Sequence, residues 1–175
     1  MKYVALLRGI GPMNPNMRNE KLRGVFENLG FGNVQTVISS GNVVFESDQQ
    51  DVGEMEARIE EAWPEQLGFR STTIIRTSEQ IHDLVARNPF GDRPDTPASN
   101  LQVTFLKREP DANLELPADA GGFTIVAVED RAICSALDLT GAGTPDLMRR
   151  LEKLLGKEIT TRTWKTVHRI QRKLS

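Results

Sequence analysis

The order of strand-like and helix-like apolar patterns in residues 1–77 restricts the fold more than any other feature of the sequence. Tyr3 to Arg8 alternates like a strand, and a helical stripe follows at Leu22, Val25, Phe26 and Leu29. Two β-rich runs, Val34 to Ile38 and Val43 to Phe45, precede a second helical stripe and a last β-rich run, Phe69 to Arg76. The resulting order, β-α-β-β-α-β, is that of a ferredoxin-like lobe with an antiparallel sheet.

Local signals predict where these elements begin and end. Asn16 is expected to cap the first helix and Gly30 to end it. Ser39 to Asn42 is expected to form a hairpin turn in which Gly41 takes a positive φ. Thr77 and Gln80 together have the spacing of a capping box, which predicts a third helix.

The second half also predicts a small α+β lobe, without a recognisable sequence repeat of the first half. A proline-rich loop at 88–100 precedes a strand at 101–106, a loop at 107–121 and a hairpin of strands 123–128 and 132–136. Thr144 and Pro145 are expected to open a helix that Gly156 ends, and a final helix carries Trp164, Val167, Ile170 and Leu174. Three segments are predicted to form one compact unit: a ferredoxin-like lobe at 1–77, a second α+β lobe at 78–158, and a closing Thr-Arg-x-Trp segment with a basic helix at 159–175.

Composition and charge exclude several classes of protein. No apolar run approaches the roughly 20 residues of a membrane-spanning helix, and the lone cysteine, Cys134, forms no internal disulfide, so a cytoplasmic protein is expected. The net charge of −2 argues against a surface that attracts nucleic acid as a whole. Five cations lie in 159–175 without any acidic residue: Arg162, Lys165, Arg169, Arg172 and Lys173. A basic end therefore follows an acidic body.

Several short segments resemble a bacterial family, domain of unknown function 1697. They are Tyr3 to Ile10, Leu29 to Phe31, Ser40 to Phe45, and Thr160 to Val167. The resemblance implies a duplicated α+β architecture of two ferredoxin-like lobes and no established activity. Where the family pattern has Thr-Arg-Asn-Trp near its end, this chain has Thr163 in place of the Asn.

The topology gathers polar residues at one end of the first predicted sheet. The loop after strand one, the hairpin turn, the start of the first helix and the start of strand four all lie there, and arginine, amide and helix N–H groups together suit an anion. We therefore predict a binding module for a small phosphate- or carboxylate-bearing ligand. The predicted ligand contacts are Arg8, Gly9, Asn14, Ser40, Gly41, Asn42, Arg70 and Arg162. The alternative is that these residues have structural roles only: Arg8 pairs with a carboxylate and Asn42 completes the turn.

Two further functions stay open at this stage. The basic last helix would bind an acidic protein or nucleic acid through Lys165, Arg169, Arg172 and Lys173. Alternatively, an acylphosphatase-like hydrolase would hold phosphate with Arg8 and orient water with Asn42, although Pro12 and Pro15 lack N–H donors for a phosphate cradle. Neither a metal nor a cofactor is expected, because His82 and His168 stand far apart without ligand spacing around them.

Overall fold

A computed structural model describes residues 1–116, 119–120, 122–140 and 146–175 of the chain. Over these residues it has a mixed α/β fold of two antiparallel sheets and five α-helices. The chain forms two compact units, Met1–Asp83 with Arg169–Ser175, and Leu84–His168.

The elements of the first sheet and the helices have the following bounds. The strands are β1 (Lys2–Leu7), β2 (Gly32–Thr36), β3 (Asn42–Glu46) and β4 (Thr73–Thr77). The helices are α1 (Asn19–Asn28), α2 (Val52–Ala62), α3 (Ser78–Arg87), α4 (Leu147–Leu155) and α5 (Trp164–Leu174). A short 3₁₀ turn, Pro15–Met17, precedes α1, and a π-helical turn, Trp63–Leu67, extends α2.

The first sheet has the order β2-β3-β1-β4, with every neighbouring pair antiparallel. The predicted succession β-α-β-β-α-β is therefore present in the first unit. One face of the sheet packs with α1 and α2 in a cluster that includes Tyr3, Leu7, Phe26, Phe45, Ile59 and Trp63. The indole Nε1 of Trp63 donates to Thr73 Oγ1 at 2.9 Å, which satisfies the polar atom of this buried ring.

The second sheet has the order β6-β7-β8-β5-β9 and is also antiparallel. Its strands are β5 (Ser99–Leu106), β6 (Asp119–Ala120), β7 (Phe123–Glu129), β8 (Ala132–Asp138) and β9 (Ile159–Thr163). Leu147 and Leu151 of α4 pack against one of its faces. The described residues between β5 and β7 include no helix, whereas α4 lies between β8 and β9.

Several predicted boundaries were wrong, including the start of the strand predicted at Phe69 to Arg76, which begins at Thr73. The second strand ends at Thr36 and not at Ile38, because Ile38 has a φ of 50° and cannot continue an extended strand. Asn16 does not cap α1, whose N-cap is Arg18 without a side-chain cap. Residues Ile159–Thr163 form a strand that the sequence analysis did not predict, β9, because a β-branched run there pairs along β5. The predicted helix start at Thr144 and Pro145 lies outside the described residues.

Other local predictions were confirmed. Gly41 has a φ of 81°, and Gly30, just after α1, has a φ of 90°. In the capping box of α3, Gln80 N donates to Thr77 Oγ1 at 3.1 Å and Thr77 N donates to the Gln80 side chain at 2.9 Å. These two reciprocal bonds let the chain pass from β4 into α3 without an intervening loop.

Cys134 provides a test of the packing of the second sheet. Burial raises the pKa of its thiol to about 12, with a further rise from the charge of Glu129. The folded state then keeps a proton that the unfolded state loses, so the free energy of unfolding should fall as the pH rises from about 9 to about 12. By about pH 10 the loss should reach about 1.4 kcal/mol. Urea denaturation across this range should show the slope in the wild type and a shallower one in Cys134→Ala; equal slopes would contradict the buried thiol.

Candidate functional site

Three hydrogen bonds bring the loop after β1 to the hairpin turn and to the segment before β4. Leu7 N donates to Gly41 O at 2.9 Å, and Arg8 N donates to Thr72 O at 2.9 Å. The hydroxyl of Ser71 donates to Arg8 O at 2.7 Å. The backbone of Arg8 is thus held between the turn and the start of β4, and exposed Arg70 is the residue just before Ser71.

Gly41 permits a close approach between the turn and the loop after β1. A Cβ at this position would lie 2.8 Å from Cγ1 of Ile10 and 3.1 Å from Cβ of Leu7. The missing side chain and the positive φ are therefore both required here. Gly9 also has a positive φ, 73°, but a Cβ there would have no atom within 4 Å.

Asn42 closes the hairpin turn from inside. Its side chain is only 1% exposed, and Nδ2 donates to Val37 O at 3.0 Å and to Ser40 Oγ at 2.9 Å. Both amide protons are used within the turn, so Asn42 cannot donate to a ligand. Ser40 Oγ accepts one of these bonds, and its own proton has no acceptor among the described residues.

The start of α1 lies against the same turn. Asn19 Nδ2 donates to Ile38 O at 3.1 Å, which joins the first helical residue to the hairpin. Arg18, the N-cap of α1, makes no side-chain cap bond, and the described residues provide no side-chain acceptor for the first N–H groups of this helix. Asn14 instead caps the 3₁₀ turn, where its Oδ1 accepts from Asn16 N at 2.9 Å.

The predicted ligand residues fall into two places. Seven of them, Arg8, Gly9, Asn14, Ser40, Gly41, Asn42 and Arg70, belong to the first unit, and the hydrogen bonds above gather all but Asn14 around the turn end of the first sheet. Arg162 belongs to the second unit, on β9, and is 8% exposed. Its Nη1 donates to Thr160 Oγ1 at 2.7 Å and to Thr161 O at 3.0 Å, and burial lowers the pKa of this guanidinium to about 10.

Arg76 has the same position in the first unit as Arg162 has in the second, and sequence reasoning missed it. Arg76 is 1% exposed and its Nη1 donates to the carbonyl of the preceding residue, Ile75, at 3.1 Å, as Arg162 does to Thr161. Each arginine is followed by a strand-ending threonine that bonds the first turn of the next helix, Thr77 in one unit and Thr163 in the other.

A signal for this repeat is present in the sequence. Residues 76–82 and 162–168 both read Arg-Thr, three variable residues, Ile or Val, and His. The pattern is short and the intervening residues differ, which is why the halves showed no repeat at the level of the whole chain.

The predicted partner residues are cations on the exposed side of α5. Lys165, Arg169, Arg172 and Lys173 are all exposed, whereas Val167, Ile170 and Leu174 of the same helix are buried. Within the described part of the chain, none of these four cations forms an ion pair.

The first sheet offers no aromatic platform for nucleic-acid bases. Tyr3 and Phe45 are each 1% exposed, and their rings stack on each other in the core at a centroid distance of 5.5 Å. These two strands therefore present no exposed aromatic ring on which a base could stack. Among the residues that the structure describes, no group of His, Cys, Asp and Glu side chains is placed to hold a metal ion. In the same residues, every helix is too short or too polar to cross a membrane.

Removing the turn-closing amide should destabilise the protein. In Asn42→Ala the buried carbonyl of Val37 loses a donor, so the free energy of unfolding should fall by about 1–3 kcal/mol. Asn113→Ala is the matched control, because this exposed asparagine makes only a backbone N–H bond, and its change should stay within about 0.5 kcal/mol. Equal losses in urea denaturation would contradict the role of Asn42 in the turn.

Substitutions at Gly9 and Gly41, two glycines with positive φ, distinguish the cost of the backbone conformation from the cost of close packing. Gly9→Ala should cost about 1–2 kcal/mol of unfolding free energy from its φ alone. Gly41→Ala should cost about 1–3 kcal/mol more, because its methyl group would collide with Ile10. Denaturation of both variants measures the difference, and a Gly41→Ala loss no larger than that of Gly9→Ala would refute the close approach.

Comparisons with known proteins agree with this architecture. No curated protein matches the chain in sequence. A conserved bacterial protein from Streptococcus pneumoniae, whose structure has been solved, superposes with a TM-score of 0.72 at 19% sequence identity, over 99% of this chain and 98% of that one. This likeness shows a shared fold. The family model described as Protein of unknown function (DUF1697) matches residues 1–133 and leaves the Thr160 to Val167 segment outside the match. The chain therefore belongs to the DUF1697 family.

Proposed function

We propose that the chain binds a small anionic ligand at the turn end of the first sheet. The observation that carries this proposal is the bond from Asn19 to Ile38, which holds the uncapped start of α1 beside the turn that Leu7 and Gly41 join to the loop after β1. Helix N–H groups and arginine side chains at one place favour a phosphate or carboxylate.

The proposed contacts are exposed groups at this end of the sheet and one further cation. Arg70 and Gly9 are exposed, and the proton of Ser40 has no described acceptor. Arg8 supplies a second, half-buried cation. Gly41, Asn42 and Asn14 act in the proposal as parts of the scaffold, because packing or hydrogen bonds within the loops already engage them. Arg162, in the other unit, is left out of this site.

An acylphosphatase-like reaction has less support than simple binding. Such a reaction needs an amide that orients water, and both amide protons of Asn42 are used in the turn. Pro12 and Pro15 also remove two N–H donors from the loop after β1. The activity would be supported only if the protein hydrolysed an acyl phosphate and Arg8→Ala abolished that hydrolysis.

We also propose that the site belongs to one of two related ferredoxin-like lobes, the first ending near residue 77 and the second near 158, with the closing segment 159–175 adding the last strand, β9, to the second sheet. The shared strand order, in which β7-β8-β5-β9 repeats β2-β3-β1-β4, supports this idea. The repeated Arg-Thr junctions at 76–77 and 162–163 support it further. Among the described residues, the second lobe has no counterpart of α1 between β5 and β7.

A ligand screen on matched arginine variants tests the anion site. Inorganic phosphate, acetate and mononucleotides should be added to the wild type, to Arg70→Gln and to Arg93→Gln, an exposed arginine of the second unit. A ligand at about 100 times its Kd stabilises by about 2.7 kcal/mol, which a thermal melt detects. Loss of a charged hydrogen bond in Arg70→Gln should weaken binding by about tenfold or more.

Arg93→Gln should bind like the wild type. If no anion shifts the melting temperature of the folded wild type, the site does not exist as proposed. If both arginine variants weaken binding equally, the effect is one of net charge and the turn end is not the site.

A further inference from the structure

The last two turns of α5 present cations to solvent on one side. Arg169, Arg172 and Lys173 are exposed, and they follow one another at the spacing of a single helix face. The opposite side of the same turns is buried through Ile170 and Leu174. Because packing fixes this helix while its cations form no ion pair within the described residues, the charges are held in place and available.

A polar groove adjoins the end of this helix within the first unit. The groove has a volume of about 340 Å³ and lies between the last residues of α5 and residues of β1, β2 and β3. Its polar lining consists of Lys2, Asn33, Gln35, Glu46, Lys173 and Ser175. Glu46, the carboxylate of this lining, accepts a hydrogen bond from Asn33 Nδ2 at 2.6 Å. Beside this carboxylate, the groove offers two cations, Lys2 and Lys173, and the side-chain amide of Gln35.

The edge of the sheet lies beside the groove. β2 pairs only with β3, so its other side has no strand partner in the first sheet. Asn33 has a φ of 45°, and the pairing register shifts between Gly32 and Gln35. This irregular edge resists regular strand addition, so recognition there would depend on side chains.

The chemistry of this surface fits an acidic protein segment better than nucleic acid. Single-stranded nucleic acid is normally held by exposed aromatic rings, and Tyr3 and Phe45 are buried in the core. The net charge of −2 also disfavours a polyanion as large as a duplex. A short acidic segment would contact the local cations without approaching the acidic body over a long distance.

We propose that the last turns of α5 and the adjoining groove bind an extended acidic protein segment. Residues four apart on a helix, such as Arg169 and Lys173, are about 6 Å apart along the axis. Alternate residues of an extended chain are about 6.6 Å apart and point to the same side. A segment with carboxylates at alternate positions thus matches the cation spacing, while Gln35 and Lys2 contact the part of the segment that enters the groove. This surface does not depend on the anion site at the turn end.

A labelled acidic peptide tests this surface directly. Fluorescence anisotropy of a fluorescein-labelled decaglutamate should show saturable binding at about 50 mM salt that weakens strongly by about 300 mM, as expected when the Debye length shortens. Arg172→Glu with Lys173→Glu should reduce the affinity about tenfold or more, since two attractive contacts become repulsive. Gln35→Ala should reduce the affinity severalfold, because Gln35 contacts the part of the segment that enters the groove.

The control variant changes the net charge equally at another place. Lys153→Glu with Lys157→Glu alters two exposed lysines of the second unit and should leave the affinity within about twofold of wild type after screening. Circular dichroism and melting temperatures verify that every variant is folded. The proposal is overturned if decaglutamate does not bind at low salt, if the control weakens binding as much as the α5 variant, or if an oligothymidylate of equal charge binds more tightly than the peptide.

Discussion

The packing of Ile10 onto Gly41 is the contact on which the rest of the candidate site depends. Without a Cβ at Gly41, the loop after β1 lies directly on the hairpin turn, and Leu7 N reaches Gly41 O at 2.9 Å. The turn in turn receives the Asn19 side chain at the start of α1. A larger residue at position 41 would separate these segments, because interiors this close-packed absorb an added methyl group only by moving backbone.

The hydrogen bonds of the turn also decide which groups remain for a ligand. Asn42 donates both amide protons, to Val37 O and Ser40 Oγ, and Asn14 Oδ1 accepts a hydrogen bond from Asn16 N in the same loop. What is left at this end of the sheet is cationic and donor-rich: Arg70, Ser40 and the start of α1. These remaining groups would therefore give such a site its selectivity for anions. The hydrogen-bonded residues of the turn would hold them in position.

Much of the first unit follows from its sequence, because apolar periodicity and turn glycines are local signals. The succession of strands and helices, the capping box at Thr77 and the positive φ of Gly41 all follow from such signals. The failures have tertiary causes. Ile38, a β-branched residue, takes a positive φ that costs roughly 1–2 kcal/mol, and no local rule predicts that Asn19 will bond its carbonyl. Around the site, the sequence placed Arg8 and Asn42 together but not the inward use of the Asn42 amide, which depends on the position of Val37.

The two Arg-Thr junctions, at residues 76–77 and 162–163, also help to determine the surface of α5. A buried guanidinium next to the start of a helix is electrostatically unfavourable, because the helix N-terminus carries partial positive charge. Arg76 and Arg162 nevertheless occupy this position in both units, each bonded to the carbonyl before it, and the following threonine bonds the first turn of the helix. The junction thus fixes the direction in which a helix leaves its strand. For α5, that direction buries Val167 and Ile170 and leaves Arg169, Arg172 and Lys173 in solvent, so the charge pattern of the surface follows from a constraint at the strand end.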